Sequence, residues 1–288
     1  MTTINAFIKR HPVLVFFALT LAIAWGGIFS VLSSSGTTIE GENSEMMFAI
    51  AYLAMLAAPS ISGILLTGLV DGRVGLTNFL SRLFKWRVGA RWYAGALLTA
   101  PLLLLAVLYA LSLTSPDFIP RLYATDDKAF LLQFSIIVAI LVGFFEELGW
   151  TGFAVPALRR RYGVLGTGLI LGLFLGVWQF PTVFWVSGGT TGDLPPAIYF
   201  PAVLLTWLPT YRVLMVWVYD RTGSTLVAML MHASLVAFWT MLTPLTIAGM
   251  ALVTYYLVFT AAMWVVIGVV AAANSVQRSR QPFPRQAA

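Results

Sequence analysis

The chain has 288 residues, of which 59% are hydrophobic and 10% charged, with a mean hydropathy of +0.88. A soluble domain carries roughly 25% charged residues, so too few are present to coat a water-facing surface, and apolar residues are too abundant for a disordered chain. The net charge of +6 does not gather on one face, which argues against a nucleic-acid partner, and the absence of cysteine excludes disulfides, thiolate metal sites and cysteine nucleophiles.

In chain order, residues 1–12 are expected to form a cytoplasmic arm. Eight apolar runs follow, at about 13–32, 46–69, 92–114, 129–150, 164–186, 197–218, 224–242 and 246–272. Each is long enough to cross the roughly 30 Å of bilayer hydrocarbon. They predict an all-α polytopic integral membrane protein with eight transmembrane helices, both termini cytoplasmic, and a transmembrane domain over 13–273. The first run follows Lys9 and Arg10 but exceeds the roughly 7–15 residues of a signal-peptide core, and reads as an uncleaved span. Between the second and third runs, residues 75–91 put Leu76, Phe79, Leu80, Leu83 and Trp86 on one side and Arg82 and Lys85 on the other. That pattern predicts an interfacial amphipathic helix. The basic tail, 274–288, is expected to be disordered.

Charge supplies an independent check, because Lys and Arg concentrate in short cytoplasmic loops. With the N-terminus inside, the cytoplasmic set is Lys9, Arg10, Arg73, Arg82, Lys85, Arg87, Arg91, Arg159, Arg160, Arg161, Arg212, Arg221, Arg278, Arg280 and Arg285. Only Arg121 and Lys128 fall outside. The outer loops instead carry Glu40, Glu42, Glu45, Asp117, Asp126, Asp127 and Asp193. An odd number of spans would scramble this alternation.

An ionisable side chain at bilayer depth is costly and is a functional hypothesis by default. The polar residues at depth that stand out are Glu146, Glu147, Gln179, Arg212 and His232. Glu146 precedes Arg159 by about 20 Å of helix, His232 follows Arg221 by roughly 17 Å, and Gln179 follows Arg161 by about 27 Å. The spans bearing Glu146 and His232 therefore present them at a similar depth, with Gln179 farther out. Adjacent on a helix, Glu146 and Glu147 diverge by about 100° and should play different roles. A carboxylate in low dielectric, facing a donor or cation, suits a general base that takes a proton from water.

Three stretches, EELGWTGFAVPALRRR at 146–161, GVWQFP at 176–181 and WVYDRTGSTLVAMLMHAS at 217–234, together with FLSRLFKWRVGARWY at 79–93, resemble the CPBP intramembrane proteases. That family includes the CAAX prenyl endopeptidases and the bacteriocin-immunity and abortive-infection-like proteins. The resemblance covers about 79–236. It implies Glu146 as the water-activating base, Glu147 as its neighbour, and His232 as the polariser of the scissile carbonyl or its oxyanion. Three positions depart from the family's pattern: Thr151 stands for the Arg of E-E-x-x-x-R, Gln179 for the first histidine, and Val236 for the Asn or Asp after the second.

The family resemblance also raises zinc, but a zinc site needs three protein ligands from His, Cys and carboxylates. Only His232 and the two glutamates are available at depth, since His11 lies in the arm, so no metal or other cofactor is expected. The expected activity is a glutamate-dependent intramembrane endopeptidase, a hydrolase of the bacterial cell membrane acting on a membrane-embedded or lipidated peptide among membrane lipids. A catalytically degenerate relative acting in binding, regulation or immunity is the alternative, and a proton-coupled transporter the third reading. Structural roles stand beside the catalytic ones: Glu147 or Glu146 in a buried pair with Arg212, His232 and Gln179 as interhelical hydrogen-bond formers, and Arg212 snorkelling to the cytoplasmic end about 12 Å away.

Overall fold

The computed structural model describes residues 3–35, 44–186 and 191–279. Its helices are α1 (Thr3–Arg10), α2 (Pro12–Ser35), α3 (Ser44–Leu83), α4 (Ala90–Ser112), α5 (Arg121–Ala124), α6 (Lys128–Gly149), α7 (Val155–Arg159), α8 (Val164–Val186), α9 (Pro196–Leu204), α10 (Trp207–Thr222), α11 (Thr225–Leu242) and α12 (Gly249–Ser279). A π-turn, Trp150–Ala154, joins α6 to α7. Eight spans, some built from two helices, are long and apolar enough to cross a membrane, and no strand occurs among the described residues. The protein is an all-α polytopic membrane protein.

The observed elements correct several expected boundaries. The arm is helical as α1. The second span runs on into the amphipathic segment through Gly72, whose φ of +64° is open to glycine, and the helix stops at Leu83 rather than at 91, with 84–89 non-helical. The fourth span continues past 150 to Arg159. The sixth is broken at Leu205 and Thr206: Pro209 has no N–H for the Leu205 carbonyl and its ring crowds that carbonyl, so α9 cannot continue while Pro209 fits the first turn of α10. The last helix reaches Ser279, into the expected tail. Glu40, Glu42, Arg280 and Arg285 lie outside the described residues.

Burial identifies the central spans. Within the most apolar window, 72% of the α9–α10 span and 56% of α11 are buried, against 11% of α12 and 22% of α2. α11 packs on α6 and α4, α10 on α8, α3 on both α2 and α6. Small residues let these backbones meet, as helix association in lipid requires. Gly168, Gly172 and Gly176 form a stripe on α8: a Cβ on them would lie 2.5 Å from Val213 Cα, 2.1 Å from Pro209 Cα and 2.5 Å from the Leu204 carbonyl oxygen. Gly143 of α6 plays the same part against α11, 2.8 Å from the Met229 carbonyl oxygen.

Arg159 pairs with Asp220 at 2.6 Å and Arg160 with Asp71 at 3.5 Å, all at the end of the bundle where α1 and the α4, α8 and α11 N-termini gather. This end is the basic face. Even span number puts α1 and the end of α12 at Ser279 on it together.

Candidate active site

The site forms where α6, α10 and α11 cross. Asp127 caps α6, accepting the Phe130 N–H at 2.8 Å, and the helix then runs uninterrupted to the glutamate pair. At Gly149 it lies against α3, where a Cβ would sit 2.1 Å from the Pro59 carbonyl oxygen. The Ser60 hydroxyl donates to the Phe145 carbonyl alongside. Below the pair the helix widens into the π-turn, a device that recurs at functional sites. Pro156 has no N–H for the carbonyls of that turn, and Arg82 Nη2 donates to one of them, Gly152, at 3.0 Å.

Glu146 and Glu147 take different surroundings, as their angular separation requires. Glu147 is fully buried. Arg212 Nη1, from α10, donates to both of its oxygens at 2.8 and 2.9 Å. His232 Nδ1, from α11, lies 2.8 Å from Oε1, and the Thr151 hydroxyl donates to Oε2. An ionised carboxylate only accepts, so His232 carries its proton on Nδ1 and its Nε2 is the nitrogen left for chemistry. Glu146 instead lines a cavity of about 250 Å³ together with His232, Arg212, Gln179, Val236 and Tyr52. The Trp150 indole N–H reaches Glu146 Oε2 at 3.3 Å.

Every residue singled out from the sequence is thus accounted for. Glu146, His232, Gln179 and Arg212 share the cavity; Glu147 and Thr151 stand behind it. The expectation that Arg212 snorkels is overturned. It is 4% exposed, because a carboxylate at its own depth offers it a charged partner that the apolar path to the interface does not. Two residues escaped notice, Trp150 and Tyr52. Four residues on from Glu146 in the motif, Trp150 was legible from i to i+4 spacing; Tyr52 carries no local signal.

The donor set does not fit zinc. Among the described residues no group of three or more His, Cys, Asp or Glu side chains converges. Of the two carboxylates beside His232, Glu147 is taken by the Arg212 guanidinium, which leaves Glu146 and His232, one short of the three protein ligands that a zinc site takes.

Comparison with known proteins bears on the same stretch of chain. Residues 128–238, which hold Glu146, Glu147, Arg212 and His232, match the family described as "Type II CAAX prenyl endopeptidase Rce1-like". The chain is also similar to "CAAX prenyl protease 2" of Methanococcus maripaludis, 26% identical over 183 residues that cover 61% of this chain and 64% of the relative. The match therefore spans somewhat less than two thirds of the relative's length. With eight apolar spans and the glutamate pair at their centre, the chain is similar to the CPBP family of membrane proteins over this central region.

Proposed function

We propose that the protein is an intramembrane endopeptidase. The observation that carries this reading is one cavity lined by both Glu146 and His232, with the histidine anchored from behind by Glu147. Glu146 takes a proton from a cavity water as the water oxygen bonds to the scissile carbonyl carbon. His232 enters as the imidazolium, with Nδ1–H on Glu147 and Nε2–H donated to the developing oxyanion. The same Glu146 then passes its proton to the departing amine as the C–N bond breaks, leaving a carboxylate and an amine. Arg212 and Thr151 hold Glu147 so that the imidazolium faces a fixed negative charge. No metal enters these steps.

The substrate is a membrane-embedded or lipidated peptide. The similarity to a relative named as a CAAX prenyl protease makes prenylated CAAX peptides the first candidates. The test is reconstitution with a panel of membrane-spanning and prenylated peptides, comparing the wild type with Glu146→Gln. Loss of a general base costs about 10²–10⁴-fold. Equal cleavage by both proteins, or none by either, removes the reading.

A second reading, a non-catalytic binding or regulatory protein, draws on Gln179 and Val236 lining the same cavity, where the resemblance implies a histidine and an Asn or Asp. Under it, the unaltered protein is inert and Gln179→His with Val236→Asn creates activity. Cleavage by the unaltered protein eliminates it.

A further inference from the structure

We propose that a groove at the basic end of the bundle, between α4, α10 and α12, binds an anionic phospholipid. The proposal does not rest on the endopeptidase reading, and its test needs no cleavage.

Three helices turn a face each to this groove, which holds about 390 Å³. From α10 come Leu214, Trp217, Val218 and Arg221, spaced i, i+3, i+4 and i+7 as one stripe of a helix is. From α12 come Val266, Val269, Val270 and Ala273 at the same spacing, and from α4 Arg91, Gly95 and Thr99. The central cavity uses a different stripe of α10, Leu208, Tyr211, Arg212 and Met215, so the two sites are separate. Although α12 packs on α4 and α10, only 11% of its most apolar window is buried. Val269 on the rim is 64% exposed, so the groove opens sideways into lipid. A Cβ on Gly95 would meet nothing within 4 Å, which is space that an acyl chain can enter.

Polarity changes along the groove as it does along a phospholipid. Arg91 is the second residue of α4 and Arg221 the last but one of α10, so both charges belong to the basic face. Arg91 Cζ lies 5.4 Å from the Trp92 ring centroid, a cation–π contact, and Trp92 meets Trp217 edge to face at 5.1 Å. No acidic side chain lines this groove among the described residues, whereas Arg159, Arg160 and Arg212 each face a carboxylate. The Trp217 indole N–H is buried with no acceptor among the described residues. An orphaned buried donor is costly, and a phosphate or ester oxygen of the ligand satisfies it. Farther in, the lining is apolar apart from Thr99, whose hydroxyl already donates to the Gly95 carbonyl at 2.6 Å. Leu214 lies eight residues from Thr222, Thr99 nine from Ala90 and Val266 seven from Ala273. The groove therefore runs about 10–14 Å inward, close to half of the roughly 30 Å of hydrocarbon, which is the depth of one leaflet. Residues 280–288 carry Arg280 and Arg285 and no acidic side chain, so their charge does not suit a groove headed by two arginines.

The purified full chain, in detergent, is titrated with dioleoyl phosphatidylglycerol, with the zwitterionic phosphatidylcholine of the same chains, and with glycerol 3-phosphate, which keeps the phosphate without the chains. Native mass spectrometry measures bound lipid, and thermal unfolding reports its effect. Each Lys or Arg near a membrane surface favours anionic lipid about fivefold. Phosphatidylglycerol is thus expected to bind about tenfold tighter than phosphatidylcholine and to raise the unfolding temperature, with glycerol 3-phosphate leaving it unchanged. Arg91→Gln with Arg221→Gln removes the charges, while Gly95→Leu fills the acyl space and keeps them; both are expected to lose the preference. Gly95→Leu, built into open space, keeps the test decisive if the arginine variant does not fold. Equal binding of the two lipids by the wild type overturns the proposal, as does binding of neither, the result of a groove filled by another part of the chain. Retention of the preference by Gly95→Leu, or by a folded arginine variant, overturns it too. An equal rise in unfolding temperature with glycerol 3-phosphate replaces the lipid with a bare anion and equally overturns it.

Discussion

Arg212 and Glu147 illustrate what a charge needs in order to stay in lipid. Both are almost wholly inaccessible, 4% and 0% exposed at the side chain, and neither alone would be tolerated at that depth. Removing one member of a buried pair strands the other, at a cost of about 3–5 kcal/mol, whereas removing both together is far milder. Arg212→Met is therefore expected to lower the unfolding temperature in detergent sharply, and Glu147→Gln in the same chain to recover most of the loss. A penalty for the double variant equal to the sum of the single ones would show the two residues to be independent. Thr151 touches the same carboxylate, so Thr151→Arg in the Arg212→Met background should also recover stability by supplying the guanidinium from the π-turn that follows α6. The two glutamates stood out in the sequence because intramembrane acids are rare. Their division of labour did not, because it depends on an arginine 65 positions away whose side chain turns inward rather than along its helix.

At the scale of helices, the site is held in place by backbone contact more than by large side chains. Gly149 sits where a methyl group would meet the Pro59 carbonyl oxygen at 2.1 Å and its carbon at 2.4 Å, and backbone cannot yield as a flexible side chain does. Gly149→Ala should push α3 from α6 at the residue after the glutamate pair's own turn, destabilising by about 1–3 kcal/mol as overpacking does and reducing activity. Gly95, in α4, has nothing within 4 Å of its Cβ position. Gly95→Ala should instead be neutral or stabilise by up to about 1 kcal/mol through helix propensity. Thermal unfolding of the two variants side by side checks both, and equal effects would refute the packing argument. The glycine spacing GLILGLFLG at 168–176 was readable as a helix-contact stripe. The end of the interfacial helix at Leu83 was not, since the apolar pattern continues through Trp86 and nothing local announces the turn. The π-turn was equally silent, because it is imposed by Pro156 and by Arg82 reaching across from α3.

For the whole molecule, segregation of charge and the number of crossings were both legible, because hydropathy and loop charge report on the same bilayer. The exception is Arg212, counted on the cytoplasmic side by position but drawn into the site by Glu147. The crossing that most needs proof is the sixth. Its pieces, α9 of 9 residues and α10 of 16, rise about 14 and 24 Å, each short of the roughly 30 Å of hydrocarbon. Only together, as a span of 27 residues, do they reach across. If the break at Leu205 and Thr206 instead turned the chain back as a re-entrant hairpin, Pro195 and Gly223 would share a face, α11 and α12 would be inverted, and the two chain ends would part. Alkaline phosphatase, active only outside the cytoplasm, separates these arrangements. Fusions after Thr125 and Pro195 are expected to be active, and those after Val88, Tyr162, Gly223 and Ser279 inactive. Matching activity at 195 and 223 would abolish the eight-span topology, and with it the placement of Glu146 and His232 at a common depth.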